Sequence, residues 1–309
     1  MGSSLPSGYD AYDLGVDNRS GRLHDMASIH TLIADIYAFQ SQSKGGYSPE
    51  EARLVFEGTE SRLVKKSSAN RREGTLRLSG LGPRCPRALW YEINHPEQAE
   101  PLPPWAIIKY SYGHILETLV LGWARAAGHL VQGEQDELVV DGIRGHRDAV
   151  IDGCVVDVKS CSSIQFAKYK DKSIRENDSF GYLDQLDGYL VGSANDDLVT
   201  DKEHGYILAL DKTLGHMVLY EHTIRRDSIL SRITECKRIV SSLEPPRCEC
   251  KSISDGKSGN LRLDVKASYS PYKYCCNPGL RTFLYADGPR YLTHVARLPD
   301  VPEITSNIG

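Results

Sequence analysis

The sequence predicts an α/β fold in which a central mixed sheet is flanked by helices and preceded by a helical N-terminal region. Two observations predict it. Short runs rich in β-branched residues recur between residues 136 and 222, and such runs are typical of strands. Stretches with the apolar spacing of amphipathic helices lie before, between and after these runs. The predicted order is helix, three strands, helix, two strands and helix.

The overall composition is that of a soluble globular protein. The chain has 309 residues, of which 40% are hydrophobic and 25% charged, so it can bury a substantial core as one elaborated domain or two smaller ones. No apolar run approaches the length of a membrane span, and the N-terminus lacks the pattern of a signal peptide. We therefore expect a cytoplasmic protein that does not enter a membrane. The net charge of −4 argues against a chain that is basic throughout but allows local basic patches.

The N-terminal region contains two predicted helices. Residues 1–25 are rich in Gly, Ser and Asp without periodicity, and we interpret them as a disordered extension or an expression remnant. From Met26 the spacing becomes helical. Ser48 is followed by a proline and, three residues on, by Glu51, which is the pattern of a capped helix start. This second helix is predicted to run toward Arg71.

The middle of the chain carries the predicted sheet. A helical stripe begins at Tyr112 and ends at Gly128, with Glu117 off the centre of its apolar face. Three strands are predicted next, over residues 136–142, 143–151 and 154–160. The turn Asp152-Gly153 between the last two is a strong hairpin signal. The remaining elements are a helix over 180–192, strands over 204–211 and 215–222, and a helix near 226–243.

One predicted strand carries an unusual pair of charges. Residues two apart in a strand point to the same face, so Asp157 and Lys159 share a face, while Asp148 lies on the neighbouring strand. A lone Asp-x-Lys pair is most often the solvated edge of a hairpin. The pair gains meaning only with the motifs around it.

Six short motifs occur in a fixed order along the chain. They are "CPRALWYEI" at Cys85, "YGHILE" at Gly113, "GHRDAVI" at Gly145, "DVKS" at Asp157, "QLDGY" at Gln185 and "YSPYKYCCNPGLRTFLY" near the C-terminus. In this order they resemble the PD-(D/E)XK superfamily, and within it the phage RecB-like exonucleases, which are related to the CRISPR-associated RecB-like nucleases. The resemblance implies a restriction-endonuclease-like core.

The resemblance covers roughly residues 75–290. It divides the chain into residues 1–25, an N-terminal helical region over 26–74, a RecB-like nuclease domain over 75–290 that includes the C-terminal cysteines, and a tail over 291–309. It implies a metal-dependent DNA exonuclease that hydrolyses phosphodiester bonds at DNA ends in phage recombination, replication or DNA processing.

Two other interpretations stay open. The same fold also serves endonucleases and spacer-processing nucleases. A catalytically inactive protein on this scaffold would bind DNA or a protein partner. The expected partner is DNA with a free end, and the resemblance also allows a homo-oligomer or a recombination partner protein.

The resemblance assigns the catalytic residues by motif. Asp148 and Asp157 would bind Mg²⁺ or Mn²⁺ together with the backbone carbonyl of Val158, because carboxylates and carbonyls are the hard ligands these ions prefer. The family often has Glu where this chain has Asp157, which keeps the charge but withdraws the oxygen by one methylene. Lys159 would orient or help deprotonate the attacking water and stabilise developing charge.

Two further pairs belong to the same expected site. Glu117 would approach the metal from the preceding helix, and His114, three residues earlier, competes with it for that role. Gln185 and Tyr189 lie four residues apart on one helix face, where an amide and a phenol can donate to phosphate or orient the nucleophile. Without the resemblance, both pairs would be read as ordinary helix residues.

The cysteines depart from the family pattern. Related nucleases hold a 4Fe–4S cluster by four cysteines, of which Cys85 and Cys276 match here, while Ala267 and Ser270 occupy the other two positions. Alanine cannot ligate a metal. Thiols that could substitute, for a cluster or for zinc, are Cys248, Cys250 and Cys275. The alternative is that no metal is bound and packing replaces it.

A basic segment follows the strand with the charged pair. Basic side chains with an interleaved aromatic ring suit sequence-tolerant binding of single-stranded DNA. The residues are Lys168, Tyr169, Lys170, Lys172 and Arg175. A solvated basic helix or loop explains the same residues equally well.

Overall fold

The structure is a computed structural model that describes residues 27–44, 46–57, 59 and 74–304. The interpretation of residues 1–25 therefore falls outside the described residues. Residues 60–73, over which the second N-terminal helix was predicted to continue, also lie outside them.

The two N-terminal helices form, with changed limits. α1 spans Leu32–Ser43, so it begins later than Met26, after a turn. α2 spans Pro49–Phe56, and its predicted cap is confirmed: the Glu51 backbone N–H donates to Ser48 Oγ at 3.2 Å, and the Ser48 N–H donates to Glu51 Oε2 at 2.7 Å. The helix ends at Phe56.

Two further helices lie between the N-terminal pair and the central sheet. α3 spans Pro86–Asn94, and α4 spans Pro104–Ala126. α4 therefore begins eight residues before Tyr112, the predicted start, because Pro104 fits the first turn of a helix, where no backbone N–H is needed. No described helix is both long and apolar enough to cross a membrane.

The first seven strands form two sheets. Their limits are β1 Val131–Gln132, β2 Glu137–Val140, β3 Ile143–His146, β4 Ala149–Ile151, β5 Cys154–Cys161, β6 His204–Asp211 and β7 Met217–Thr223. The central sheet has the order β1-β4-β5-β6-β7, with β5 and β6 parallel and the other neighbours antiparallel. The predicted mixed sheet is thus confirmed.

The strand predicted over residues 143–151 is broken in two. β3 pairs with β2 in a separate hairpin, whereas β4 joins the central sheet, and Arg147 and Asp148 lie between them. The break arises because the Arg147 side chain is buried and bound to groups outside both strands. The chain therefore changes sheets at the residue that precedes Asp148.

Helices cover both faces of the central sheet, as predicted. α5 (Ser163–Lys170), α6 (Tyr182–Gly192) and α7 (Arg226–Val240) share one core with the odd-numbered residues of β5. α1 and α4 pack against the even-numbered residues, among them Val156 and Val158. The alternation of β5 therefore separates the two cores.

The C-terminal part forms a third sheet that the sequence interpretation did not include. Its elements are β8 Ser252–Ser254, β9 Leu261–Leu263, α8 Val265–Ser268, α9 Lys273–Cys276, β10 Arg281–Tyr285, β11 Gly288–His294 and β12 Glu303–Ile304. The strand order is β12-β10-β11-β9-β8. The domain limit predicted at residue 290 falls inside β11. The residues of β11 after this limit therefore pair with β9 and β10, which lie before the limit.

Candidate active site and a cluster of four cysteines

The charged pair of β5 is in direct contact. Lys159 Nζ lies 2.9 Å from Asp157 Oδ1 and 2.7 Å from Oδ2, and Asp157 is 0% exposed. The two side chains lie on the face that α6 covers, so the predicted shared face is confirmed. This pair is therefore a buried ion pair, unlike the solvated edge of a hairpin.

Burial sets the electrostatics of the pair. Burial raises the pKa of Asp157 to about 7; the Lys159 ammonium opposes this rise, and the nearby Asp148 carboxylate adds to it. Burial lowers the pKa of Lys159, but the negative charges of Asp157 and Asp148 outweigh it and raise that pKa overall. The site thus contains more negative charge than one lysine balances, which favours a further cation.

Asp148 meets β5 at the point where β4 stops. β4 pairs with β5 only as far as the Ala149–Val156 pair, so the next part of the β5 edge faces Asp148. Asp148 Oδ2 accepts a hydrogen bond of 2.8 Å from the Val158 backbone N–H. The N–H and C=O of one strand residue point to the same edge, so the Val158 carbonyl also faces this side.

Gln135 connects Asp148 with the helix carboxylate. Its side-chain Nε2 donates to Asp148 Oδ1 and to Glu117 Oε1, at 3.3 Å each. The structure therefore brings Glu117 and Asp148 to one neutral donor. Gln135 was missed by the sequence interpretation because it lies in a loop without periodicity or motif.

Arg147 holds the loop that carries Gln135. It is 1% exposed, and its guanidinium donates to Gly133 O at 3.2 Å and to Asp136 Oδ2 at 2.8 Å. A Cβ at Gly133 would lie 2.5 Å from Arg147 Nη2, so glycine is needed for this close approach. Gln135 itself has a φ of +58°, and its N–H donates to Arg147 O at 3.0 Å. The loop is thus fixed on both sides of Gln135.

The far end of the Arg147 guanidinium reaches the segment that follows α6. Nη1 lies 2.5 Å from Asp196 Oδ2 and donates to Ser193 Oγ at 3.2 Å. The motif "GHRDAVI" contained Arg147, but no role was assigned to it. Its function is structural: it positions the loop beside the carboxylates.

His114 and Glu117, the two candidate metal ligands on α4, both lie near the site. Their Nδ1 and Oε2 atoms are 4.0 Å apart on α4. Glu117 is buried and bonded to Gln135, whereas the His114 side chain is half-buried. The contact that links α4 to Asp148 is made through Glu117.

Gln185 and Tyr189 lie beside Lys159 on α6. Gln185 Oε1 is 3.5 Å from Lys159 Nζ, and Gln185 Nε2 donates to Tyr189 Oη at 2.6 Å. Burial raises the pKa of Tyr189, and the negative charge of Asp157 adds to this rise. The phenol is therefore neutral at physiological pH and can act as a hydrogen-bond donor.

The donor set of this site suits a hard divalent ion. Glu117 and Asp148 share one amide donor, which a cation could replace as the common partner, and Asp157 adds a buried carboxylate. Such carboxylates, completed by water and phosphate, are the usual ligands of Mg²⁺ and Mn²⁺. The residues present therefore fit the metal that the motifs predict.

Four cysteines form a second cluster. The Sγ atoms of Cys85, Cys248, Cys250 and Cys276 all lie within 4.8 Å of one another. In the described part of the chain, no other three His, Cys, Asp or Glu residues come this close. Cys275 lies apart, with its Sγ 3.6 Å from Gln98 Oε1. Two of the three substitute thiols named from the sequence thus join Cys85 and Cys276.

The cluster connects distant segments and favours a thiolate. Cys85 precedes α3, Cys276 ends α9, and the other two cysteines follow α7 in the sequence. Hydrogen bonds from the thiols of Cys250 and Cys276 lower the pKa of Cys85, whereas the pKa of Cys276 is raised. The sulfurs of Cys85 and Cys248 are 3.9 Å apart, too far for a disulfide. Four converging thiols match the donor set of tetrahedral zinc or an iron–sulfur cluster.

The basic segment has one member that does not fit the predicted role. Tyr169 is 1% exposed and packs against Tyr220, so its ring cannot stack on a base. Lys168 Nζ donates to Asn177 O at 3.2 Å, and Arg175 Nε donates to Tyr220 Oη at 3.2 Å. Lys170 and Lys172 are exposed. The charges are thus at the surface, and the aromatic ring is in the core.

No family model and no curated protein matches this chain. Among solved structures, SSO0001 matches with a TM-score of 0.38 and 18% identity, over 71% of this chain and 93% of its own. An alkaline exonuclease, LHK-Exo from Laribacter hongkongensis, matches with a TM-score of 0.36 and 12% identity, over 57% of this chain and 91% of its own. At these values the similarity says nothing about the activity of this chain.

Proposed function

We propose that this protein is a divalent-metal-dependent deoxyribonuclease of the PD-(D/E)XK type that acts on DNA ends. The observation that carries the proposal is the meeting of Asp148 with the Asp157–Lys159 pair at the free edge of β5, where Gln135 also links Asp148 to Glu117. Action at DNA ends, rather than within a strand, is what the resemblance of the motifs implies.

Each residue has a role that its contacts support. A divalent ion held by Glu117, Asp148, Asp157 and the Val158 carbonyl would supply charge neutralisation at the phosphate and a more acidic water. Lys159 is held by Asp157 and directs its remaining ammonium hydrogens toward the attacking water and the developing negative charge.

The α6 pair completes the hydrogen bonding. Gln185 accepts from Lys159 and donates to Tyr189, so the three side chains form a connected row beside the reacting phosphate. The row orients the ammonium and offers a phenol O–H to a phosphate oxygen. Loss of the Gln185 amide would remove one of the two side-chain hydrogen bonds of Lys159 and leave the one to Asp157.

The test is degradation of end-labelled linear DNA, single- and double-stranded, with a covalently closed circle as control, in Mg²⁺ or Mn²⁺. We expect metal-dependent loss of the linear substrates only. Asp148→Ala and Lys159→Ala should abolish it, whereas the exposed controls Asp197→Ala and Lys212→Ala should not. Cleavage of the closed circle would instead establish an endonuclease.

The second candidate is a catalytically inactive protein of this fold that binds DNA or a partner. One observation favours it: the Gln135 amide lies between the Glu117 and Asp148 carboxylates and donates to both, in the place that a shared cation would take. Wild-type protein that leaves every substrate intact in both metals would establish this alternative.

We also propose that the cysteine cluster binds zinc or a 4Fe–4S cluster. Four sulfurs from three separate segments converge, and hydrogen bonds from the thiols of Cys250 and Cys276 lower the pKa of Cys85, which favours the thiolate that a metal binds. Metal analysis together with visible absorption of anaerobically purified protein distinguishes zinc, iron and neither. Cys248→Ser should lose the metal, and Cys275→Ser, outside the cluster, should retain it.

A further inference from the structure

A series of aromatic rings leads away from Lys159. Lys159 Nζ lies 5.0 Å from the centre of the Tyr182 ring. The Tyr182 and Phe180 rings are 5.8 Å apart at 36°, and the Phe180 and Tyr269 rings are 6.4 Å apart at 70°. We call Tyr182, Phe180 and Tyr269 the aromatic track. It joins the candidate active site to the C-terminal part that carries Cys276.

The outer rings of the track are exposed. Phe180 is 48% exposed and Tyr269 is 59% exposed, whereas Tyr182 is half-buried. Two adjacent exposed aromatic rings form an apolar surface that folding alone does not require. Their π faces suit a flat, aromatic ligand.

Phe180 is held by a tight turn. Asp178 accepts hydrogen bonds from the backbone N–H groups of Gly181, Tyr182 and Leu183, which fixes the start of α6. Gly181 has a φ of +74°, and a Cβ there would lie 2.2 Å from Gly82 Cα. The ring is therefore presented by a constrained turn that packs closely against residue 82.

Basic side chains lie near both ends of the outer part of the track, together with the Asp178 carboxylate that caps α6. Lys168 donates to Asn177 O, three residues before Phe180, and Arg232 donates to Leu81 O and Gly82 O at 2.7 and 3.0 Å. Burial lowers the pKa of Lys266, three residues before Tyr269, and the positive charge of Arg232 adds to this lowering against the opposing effect of Asp264. Cations that repel one another favour an anion.

We propose that Phe180 and Tyr269 stack with unpaired bases of a single DNA strand whose end is delivered past Tyr182 to Lys159. The ligand is polyanionic and aromatic, which matches both the charges and the rings. Recognition is independent of sequence, because every base has a π face. This proposal deepens the proposed function and rests on it for the identity of the reacting strand.

Binding without cleavage provides the first test. Labelled oligothymidylate and a blunt duplex hairpin are titrated without added divalent ions and without a chelator, which would strip metal from the cysteine cluster, and binding is followed by fluorescence anisotropy. Phe180→Ala and Tyr269→Ala should each weaken single-strand binding about tenfold, the effect of one lost base–ring stack, with little change for the duplex. Phe180→Trp should retain affinity and show added fluorescence quenching on binding. Ile164→Ala, which removes an 80% exposed apolar side chain from α5, is the matched control.

The salt dependence of binding distinguishes the contribution of the aromatic rings from that of the basic side chains. The aromatic variants should leave the slope of log affinity against log salt unchanged, since they remove no phosphate contact. Lys168→Ala and Lys266→Ala should each reduce the slope by about 0.7, the value per phosphate contact with a single strand. Single-strand affinity within twofold of wild type in the double ring variant would overturn the proposal, as would an equal loss of duplex affinity.

The nuclease assay distinguishes this proposal from the proposed function. If wild type cuts DNA and the ring variants bind single strands normally with unchanged KM, the track is not a binding surface, and the proposed nuclease function is supported. If wild type cuts nothing but the ring variants lose single-strand binding, the proposed role of the track is supported, and the protein is a binding scaffold. Thermal melting of each variant checks that its fold is retained.

Discussion

The Gln135 side-chain amide donates a hydrogen bond of 3.3 Å to the Asp148 carboxylate. The same nitrogen donates to Glu117, so one neutral group holds two acidic side chains from different elements. A bound divalent ion would take over this role. Half a rotation of the amide would then turn its oxygen toward the ion.

We predict that Gln135→Ala lowers stability mainly in the absence of metal. Its loss removes two charge-assisted hydrogen bonds and leaves the carboxylates to repel each other, at about 1–3 kcal/mol. Saturating Mn²⁺ should restore most of the lost stability, because the cation binds both carboxylates. Urea unfolding with EDTA or Mn²⁺ measures the difference, and Gln132→Ala on β1 is the control. An equal loss in both conditions would contradict the prediction.

A second prediction concerns Arg147. Arg147→Ala should destabilise the protein by about 2–5 kcal/mol, because it leaves a cavity and removes the hydrogen bonds that the buried guanidinium makes to Gly133, Asp136 and Ser193. Arg144→Ala, three residues away, removes a guanidinium that is 71% exposed and should change stability by less than about 1 kcal/mol. Denaturant unfolding of the two variants provides the measurement.

Arg147 should also matter for activity. Its loss frees the loop from Gly133 to Asp136, so Gln135 would no longer be held against Asp148 and Glu117. We expect Arg147→Lys, which keeps the charge but not the planar fork, to require more divalent ion for half-maximal nuclease activity. An unchanged metal requirement would show that the loop does not position the site.

Residue patterns predicted the part of the site that follows strand and helix periodicity. Asp157 and Lys159 were placed together because alternate strand residues share a face, and Gln185 and Tyr189 because helix residues four apart do. Gln135 could not be predicted, because it lies in a loop and contacts residues distant in the sequence, and such contacts leave no periodic pattern in the sequence.

Two other outcomes have physical reasons. Tyr169 follows Phe166 by three residues, a helical spacing that places both on the buried face of α5 and that could have signalled its burial. The C-terminal sheet was missed because two of its strands have only three residues and expose most of them. Strands this short show little alternation of apolar and polar residues in the sequence.

A third prediction concerns pH and Asp187, which anchors α6. Asp187 is buried and accepts from His222 Nε2 at 2.7 Å and from Arg225 Nε at 2.8 Å. Burial raises its pKa, but the bonds to His222 and Arg225 outweigh this and lower the pKa overall. A lowered pKa in the folded state stabilises the fold above the unfolded-state pKa, and this stability is lost as pH falls through the folded-state pKa.

Asp187→Asn should therefore destabilise the protein at pH 7, by about 2 kcal/mol. The difference from wild type should shrink as the pH falls below the unfolded-state pKa of an aspartate, about 4. Urea unfolding of both proteins across this range is the measurement. A pH-independent difference would mean that the contacts act through packing rather than charge.

The last prediction links the cysteine cluster to the aromatic track. Tyr269 directly follows α8, and Cys276 ends α9, so the cluster fixes the segment that presents the outer ring of the track. If the four thiols bind metal, Cys248→Ser should lower the melting temperature and also weaken single-strand binding. This variant leaves Phe180 and Lys159 unsubstituted, so a loss of binding would arise from the cluster.

Chelator-treated wild type should show the same two losses, and restoring the metal should reverse both. Cys275→Ser, whose thiol lies beside Gln98, should show neither. A stable Cys248→Ser variant with normal single-strand affinity would mean that packing of Cys276 against Tyr272 and Ala88 holds this segment without metal.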